Sequence, residues 1–281
     1  MQELSDKFKE IYRQIERFCF DREDPVRAIR NMRDFYEGYD AFGLEEEEIK
    51  ILRDRIFDQY ELTVREIVDF GLFLLKTGKF EFGSLAISMI KKHRPRLDPY
   101  AREKIKEWLD NGVENWAHAD TLGIKILPVL FELELVDLSS FASWRDSRSK
   151  WTRRAAVVSL IWLRKALPAE DILRFIEPLL ADNEKVVQQA LGWLFKELWN
   201  RATEITEEYL ETHKESIDRY TLKQVISLMP HSKAKQFLPP KKVGPKPQSG
   251  PRNKKFVPNR PRPPRAQAGK PKPYKPNGNR D

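Results

Sequence analysis

Leu4, Phe8, Ile11, Ile15 and Phe18 recur at steps of four and three, the spacing of one face of an α-helix. The pattern continues along most of the chain. A second helix is expected from Asp24-Pro25, with Val26, Ile29, Met32 and Phe35 facing inward. "TVREIVDFGLFLLKTG" opens with Thr63 and Glu66 in capping-box spacing and closes at Gly78. "DPYAREKIKEWLDNG" has Asp98 placed to cap, Pro99 at the first helical position and Gly112 beyond the end. Further helices are expected at 115–130, 150–166, 169–181, 183–200, 205–215 and 219–229. No segment sustains the two-residue alternation of a strand. The chain is therefore expected to be all-α. Helix pairs spaced by about 35–45 residues suggest a HEAT-like solenoid of stacked pairs; a globular helical bundle is the alternative.

At Pro239 the composition changes. Residues 239–281 hold 12 of the 19 prolines and 13 Lys/Arg against one Asp, a charge of +12. Residues 1–238 then carry −4 of the net +8. A segment so poor in apolar groups cannot offset the entropy of ordering. Two domains are expected: a helical body at 1–238 and a disordered basic Pro-rich tail at 239–281. The tail would bind polyanions without sequence preference, or serve as a solubilising extension.

The single cysteine, Cys19, rules out an intrachain disulfide, and the four histidines form no HExxH pair. No metal site and no cofactor are expected. No apolar run approaches the roughly 18 residues of a membrane span, and "MQELSDKFKEIYRQIERF" reads as a charged amphipathic helix rather than a leader. A monomer acting in the cytoplasm is expected.

Three segments carry chemistry. In "NWAHAD", Trp116 and Asp120 lie four residues apart and share a helix face. An ionised Asp entering a core is unfavourable unless it is paired or faces a cleft; an Asp held by a neighbouring Arg or backbone N–H, beside an ordinary core Trp, is the bland account. In "WRDSRSKWTRRAAVVSLIWLRK", Arg148, Lys150, Arg153 and Arg154 gather near a predicted helix N-terminus, where cations oppose the macrodipole. A phosphate would relieve that opposition, and a solvated loop is the alternative. In "QQALGWLFKE", Trp193 follows Gly192, a helix-interior glycine that lets something approach the backbone closely.

"NWAHAD", "KWTRRAA" and "QQALGWLFKE", in this order and spacing, resemble the signature segments of the AlkD-like DNA alkylation repair glycosylases. The resemblance is strong over 110–200 and looser over 25–230. It implies a HEAT-like solenoid with a concave basic face for double-stranded DNA carrying alkylated bases, and excision of positively charged alkylated purines. It places Asp120 at the catalytic carboxylate, Trp116 and Trp193 at the flanking tryptophans, and Arg154 at the arginine beside the site. Arg148, Lys150 and Arg153 would contact DNA. A further aromatic from an N-terminal helix is expected, with Tyr36, Tyr39 or Phe42 as candidates and Asn31 as an occupant of that position. Two other classes stay open: a non-catalytic binder of damaged or branched DNA, and a protein-interaction scaffold.

Overall fold

The computed structural model describes residues 4–35 and 37–237. The expected tail, at 239–281, lies outside the described residues. Within them every regular element is helical, apart from an isolated bridge between Asp40 and Lys79. Among the described residues, no helix is long and apolar enough to cross a membrane.

The chain runs through α1 (Asp6–Phe20), α2 (Pro25–Met32), α3 (Glu46–Gln59), α4 (Val64–Lys76), α5 (Phe80–Lys92), α6 (Pro99–Asn111), α7 (Trp116–Lys125) and α8 (Leu127–Glu132). It continues with α9 (Leu138–Arg145), α10 (Lys150–Leu163), α11 (Ala169–Ile176), α12 (Lys185–Arg201), α13 (Thr203–His213), α14 (Arg219–Ile226) and α15 (His231–Phe237). One row of packed neighbours is α3, α5, α7, α10, α12 and α14. Behind it stand α4 against α6, and α9, α11 and α13 against one another. This is the repeat-like stack of helices expected from the spacing.

Local signals hold where they are chemical. Thr63 and Glu66 form a reciprocal capping box, and Asp98 accepts the Ala101 N–H with Pro99 in the first turn. On α1, Ile11, Ile15 and Phe18 are buried as the stripe requires. The segment 115–130 is two helices, because Pro128 lacks the N–H that would continue the ladder and the chain turns at Ile126. Pro178 ends α11 in the same way, in a short 3-10 turn.

The second helix corrects the sequence reading. No residue of α2 is buried, and Val26, Ile29 and Met32 are exposed. The helix is held by its polar side instead: the Asp24 N–H donates to Phe42 O at 2.8 Å, and Arg27 Nη1 donates to Gly43 O at 2.8 Å. Gly43 has φ +88°, and a Cβ there would lie 2.2 Å from Asp24 O, so only glycine allows this approach. The connector itself is pinned by a buried carboxylate. Glu81 accepts the N–H groups of Phe42, Gly43 and Leu44 at 2.7–3.1 Å.

Candidate active site

Helix α7 starts where Asn115 caps it, Oδ1 accepting the His118 N–H at 2.9 Å. Trp116 is then the first helical residue and Asp120 lies one turn on. Helix α10 packs tightly against α7 at Gly123, where a Cβ would meet the Ala155 carbonyl oxygen at 2.8 Å. That approach brings Arg154 to Asp120. Nε and Nη2 donate to Oδ1 and Oδ2, both at 2.7 Å, a bidentate pair. Nη1 donates to Val186 O at 2.6 Å, so one guanidinium ties α7, α10 and the first turn of α12 together. Both side chains are buried, with 9% of Asp120 and 7% of Arg154 exposed. Burial pushes the Asp120 carboxyl up from its ordinary value, and the guanidinium opposes that push.

Arg154 forms part of the wall of a cavity of about 350 Å³. Trp116, Trp151, Gln189 and Phe35 line it too, with Asp34, Glu37 and Glu114 as its acidic members. Asp120 is not on this wall; it reaches the cavity through Arg154. Trp116 is 37% exposed, stacks on Phe35 with centroids 5.5 Å apart, and donates its Nε1–H to Asp34 O at 3.0 Å. Phe35 in turn stacks on Tyr39 at 4.5 Å.

The N-terminal aromatic at this cavity is therefore Phe35. Tyr39 stands behind it, and Phe42 packs elsewhere, against Phe82 and Phe20. Tyr36 lies outside the described residues. Phe35, the last inward position of the stripe expected for the second helix, sits in the turn after α2 and, unlike Val26, Ile29 and Met32, is partly buried. Trp151 was visible only as the tryptophan of "KWTRRAA".

The other expected site residues divide. Trp193 does not line the cavity. It lies one turn beyond Gln189 on α12, half-buried and edge-on to Trp162 at 6.4 Å. The close approach that Gly192 allows is made by Gln224 of α14, whose Oε1 would lie 2.3 Å from a Cβ. Arg153 braces the protein: Nε and Nη2 bind Asp182 at 2.6 and 3.2 Å, and Nη1 donates to Ser147 O and Arg148 O. Lys150 reaches Glu37, which lines the cavity, at 2.5 Å and Glu184 at 3.9 Å. Arg148 is exposed. Among the described residues no group of three or more His, Cys, Asp or Glu side chains is arranged to hold a metal ion. Burial pushes the Cys19 thiol up to about 12, which removes it as a nucleophile.

His118 is buried on the other side of α7, stacked on Phe80 at 4.8 Å. Burial pushes its pKa from 6.5 down to about 4. The unfolded chain takes up this proton first. Stability from neutral His118 is complete above about pH 6.5 and is lost as pH falls through about 4, by up to about 3 kcal/mol. Urea unfolding at pH 7 and 4.5 should show this fall in the wild type and a smaller one in His118→Gln. Equal falls in both proteins would mean that His118 carries none of it.

The model of the family described as "DNA alkylation repair enzyme" matches residues 21–229. Among solved structures, one described as a predicted DNA alkylation repair enzyme from Enterococcus faecalis is similar in fold, with a TM-score of 0.63 at 15% identity. The match covers 75% of this chain and 98% of that one. No curated protein matches the sequence.

Proposed function

The chain belongs to the DNA alkylation repair enzyme family, and on that premise we propose that it is a monofunctional glycosylase. Its substrate would be duplex DNA carrying N3- or N7-alkylated purines, which it would hydrolyse at the N-glycosidic bond. The observation that carries this reading is a buried carboxylate, Asp120, paired with Arg154 behind a cavity whose wall includes Trp116, Trp151 and the carboxylates of Asp34 and Glu114. Such a cavity suits a cation. An alkylated purine is already cationic and leaves with the bonding electron pair as a neutral base, so no general acid is needed. Positive charge then develops on the deoxyribose. A nearby carboxylate stabilises that oxocarbenium and orients the water that attacks C1′. The exposed face of Trp116 adds cation–π attraction worth about 0.5–2 kcal/mol. No lysine lines the cavity among the described residues, and Lys150 nearby is engaged by Glu37, so hydrolysis without strand cleavage is expected. The protein would act as a monomer in the cytoplasm, on nucleoid DNA in a prokaryote.

The engagement of both Asp120 oxygens by Arg154 favours a second reading, a non-catalytic binder of damaged DNA. Release of free base from methylated duplex separates the two. The glycosylase reading predicts neutral methylpurine in solution and an intact strand that alkali cleaves at abasic sites; absence of released base would leave the binder. Trp116→Ala should melt close to the wild type, since its ring is partly exposed, yet release base about 2- to 30-fold more slowly. Unfolding of that variant would make Trp116 a core residue.

A further inference from the structure

A second cavity, of about 360 Å³, opens between α3, α5 and α7, on the side of α7 away from α10. Two serines one turn apart on α5, Ser84 and Ser88, line it together with Lys91 and Lys125. The direction of the serine hydroxyls follows from their partners. Asn115 Oδ1 accepts the His118 N–H, so the amide NH2 faces His118 Nδ1 at 2.9 Å and donates to it. The imidazole proton then sits on Nε2, where Ser84 Oγ, 3.0 Å away, shares it with the Phe80 carbonyl. Ser84 Oγ accepts, which frees its own O–H to donate into the cavity. Arg53 Nη1 donates to Ser88 Oγ at 3.1 Å and leaves that hydroxyl in the same state.

The charges agree with the donors. Among the described residues neither Lys91 nor Lys125 has a carboxylate partner, and the Lys125 ammonium lies 5.9 Å from the Trp162 ring. The carboxylates on the wall are already engaged: Glu81 by three backbone N–H groups, and Glu46 by Lys50. What remains is two hydroxyl donors and two ammonium groups converging on one space.

We propose that this cavity binds a phosphate group, supplied by the DNA backbone. The backbone source rests on the DNA-repair reading above; the phosphate chemistry does not. The cavity lies one helix away from the Asp120–Arg154 pair, a spacing of about 8–10 Å between packed axes. That is about three base-pair steps of 3.4 Å rise along the duplex axis. A phosphodiester held there would fix the register of the duplex against the catalytic pair.

The test uses the full chain and a labelled duplex with one tetrahydrofuran abasic analogue to set the register. Each phosphate in turn is replaced by an uncharged methylphosphonate, and binding is followed by anisotropy for the wild type, Lys91→Gln, Lys125→Gln and Ser84→Ala. One position should weaken wild-type binding about tenfold, and Lys91→Gln should no longer respond to it. The same variant should lower the salt slope by about one. A parallel arm measures melting in inorganic phosphate, with the free variants serving as the check on folding. A phosphate-dependent rise in the wild type but not in Lys91→Gln, without coupling on DNA, assigns the cavity to free phosphate and overturns the backbone source. Wild-type DNA binding with no coupled position and no phosphate effect overturns the site. Failure of the wild type to bind duplex at all counts against the repair reading, and the phosphate arm still decides the cavity.

Discussion

Arg154→Ala is expected to destabilise the protein by about 3–5 kcal/mol. The guanidinium is 7% exposed and makes three hydrogen bonds: two to Asp120 and one to Val186 O. Its removal leaves a carboxylate buried and unpaired, and it removes the link from α10 to the first turn of α12. The desolvation penalty of Asp120 then stands unopposed, and its folded-state pKa rises further above the unfolded value. A carboxyl shifted upward is penalised when it ionises. The deficit relative to the wild type should therefore be larger at pH 8 than at pH 5, where protonation relieves it. A double variant, Asp120→Leu with Arg154→Met, removes both charges and should recover much of the loss, as replacing a whole buried pair often does. Urea unfolding of the three proteins decides this. A deficit below about 1 kcal/mol that does not change with pH would mean that the pair behaves as a solvated surface bridge.

The sequence made some of this legible and hid the rest for identifiable reasons. Capping chemistry is local, so Thr63–Glu66, Asp98 and the start of α7 at Asn115 could be read from a few residues. The stripe on α1 could be read because its partners cover it. The same period on α2 misled: it defines an apolar face, but not whether anything covers it, and here hydrogen bonds hold the helix by its opposite side. Helices α3 and α5 were not singled out. On α5 the inward positions include Glu81 and Gly83, which interrupt any apolar pattern. Glu81 is inward because it neutralises the N–H groups of a connector 37–39 residues earlier in the chain, which no local window contains.

At the candidate site the individual residues were visible and their arrangement was not. Asp120 and Arg154 are 34 residues apart, and their pairing depends on how closely α7 meets α10 at Gly123. The arginine partner of the bland expectation is present, and Asp120 stands behind that arginine rather than on the cavity wall. The family resemblance placed Trp193 beside Asp120, yet it is Gln189, four residues earlier, that lines the cavity. Phe35 and Trp151 complete the aromatic wall from a turn and a helix start; the period marked Phe35 as inward but could not say that it meets Trp116.

Asp120→Asn carries the largest expected effect on activity. The amide keeps the size of the carboxylate and a hydrogen-bond acceptor for Arg154, but it cannot balance charge on the sugar. It also leaves the guanidinium as an uncompensated cation beside a developing cation, which acts in the same direction. Losing one preorganised stabiliser of transition-state charge costs about 10²- to 10³-fold in rate. Ground-state binding of DNA involves Asp120 little, since it lies off the cavity wall, so the loss should fall on the chemical step. The decisive measurement is single-turnover release of base from duplex DNA carrying one 7-alkylated guanine, for wild type and for Asp120→Asn shown by melting to be folded. The account predicts release by the wild type, a rate about 10²- to 10³-fold lower for the variant, and similar affinity of both for the duplex. Equal rates in the two proteins would contradict it.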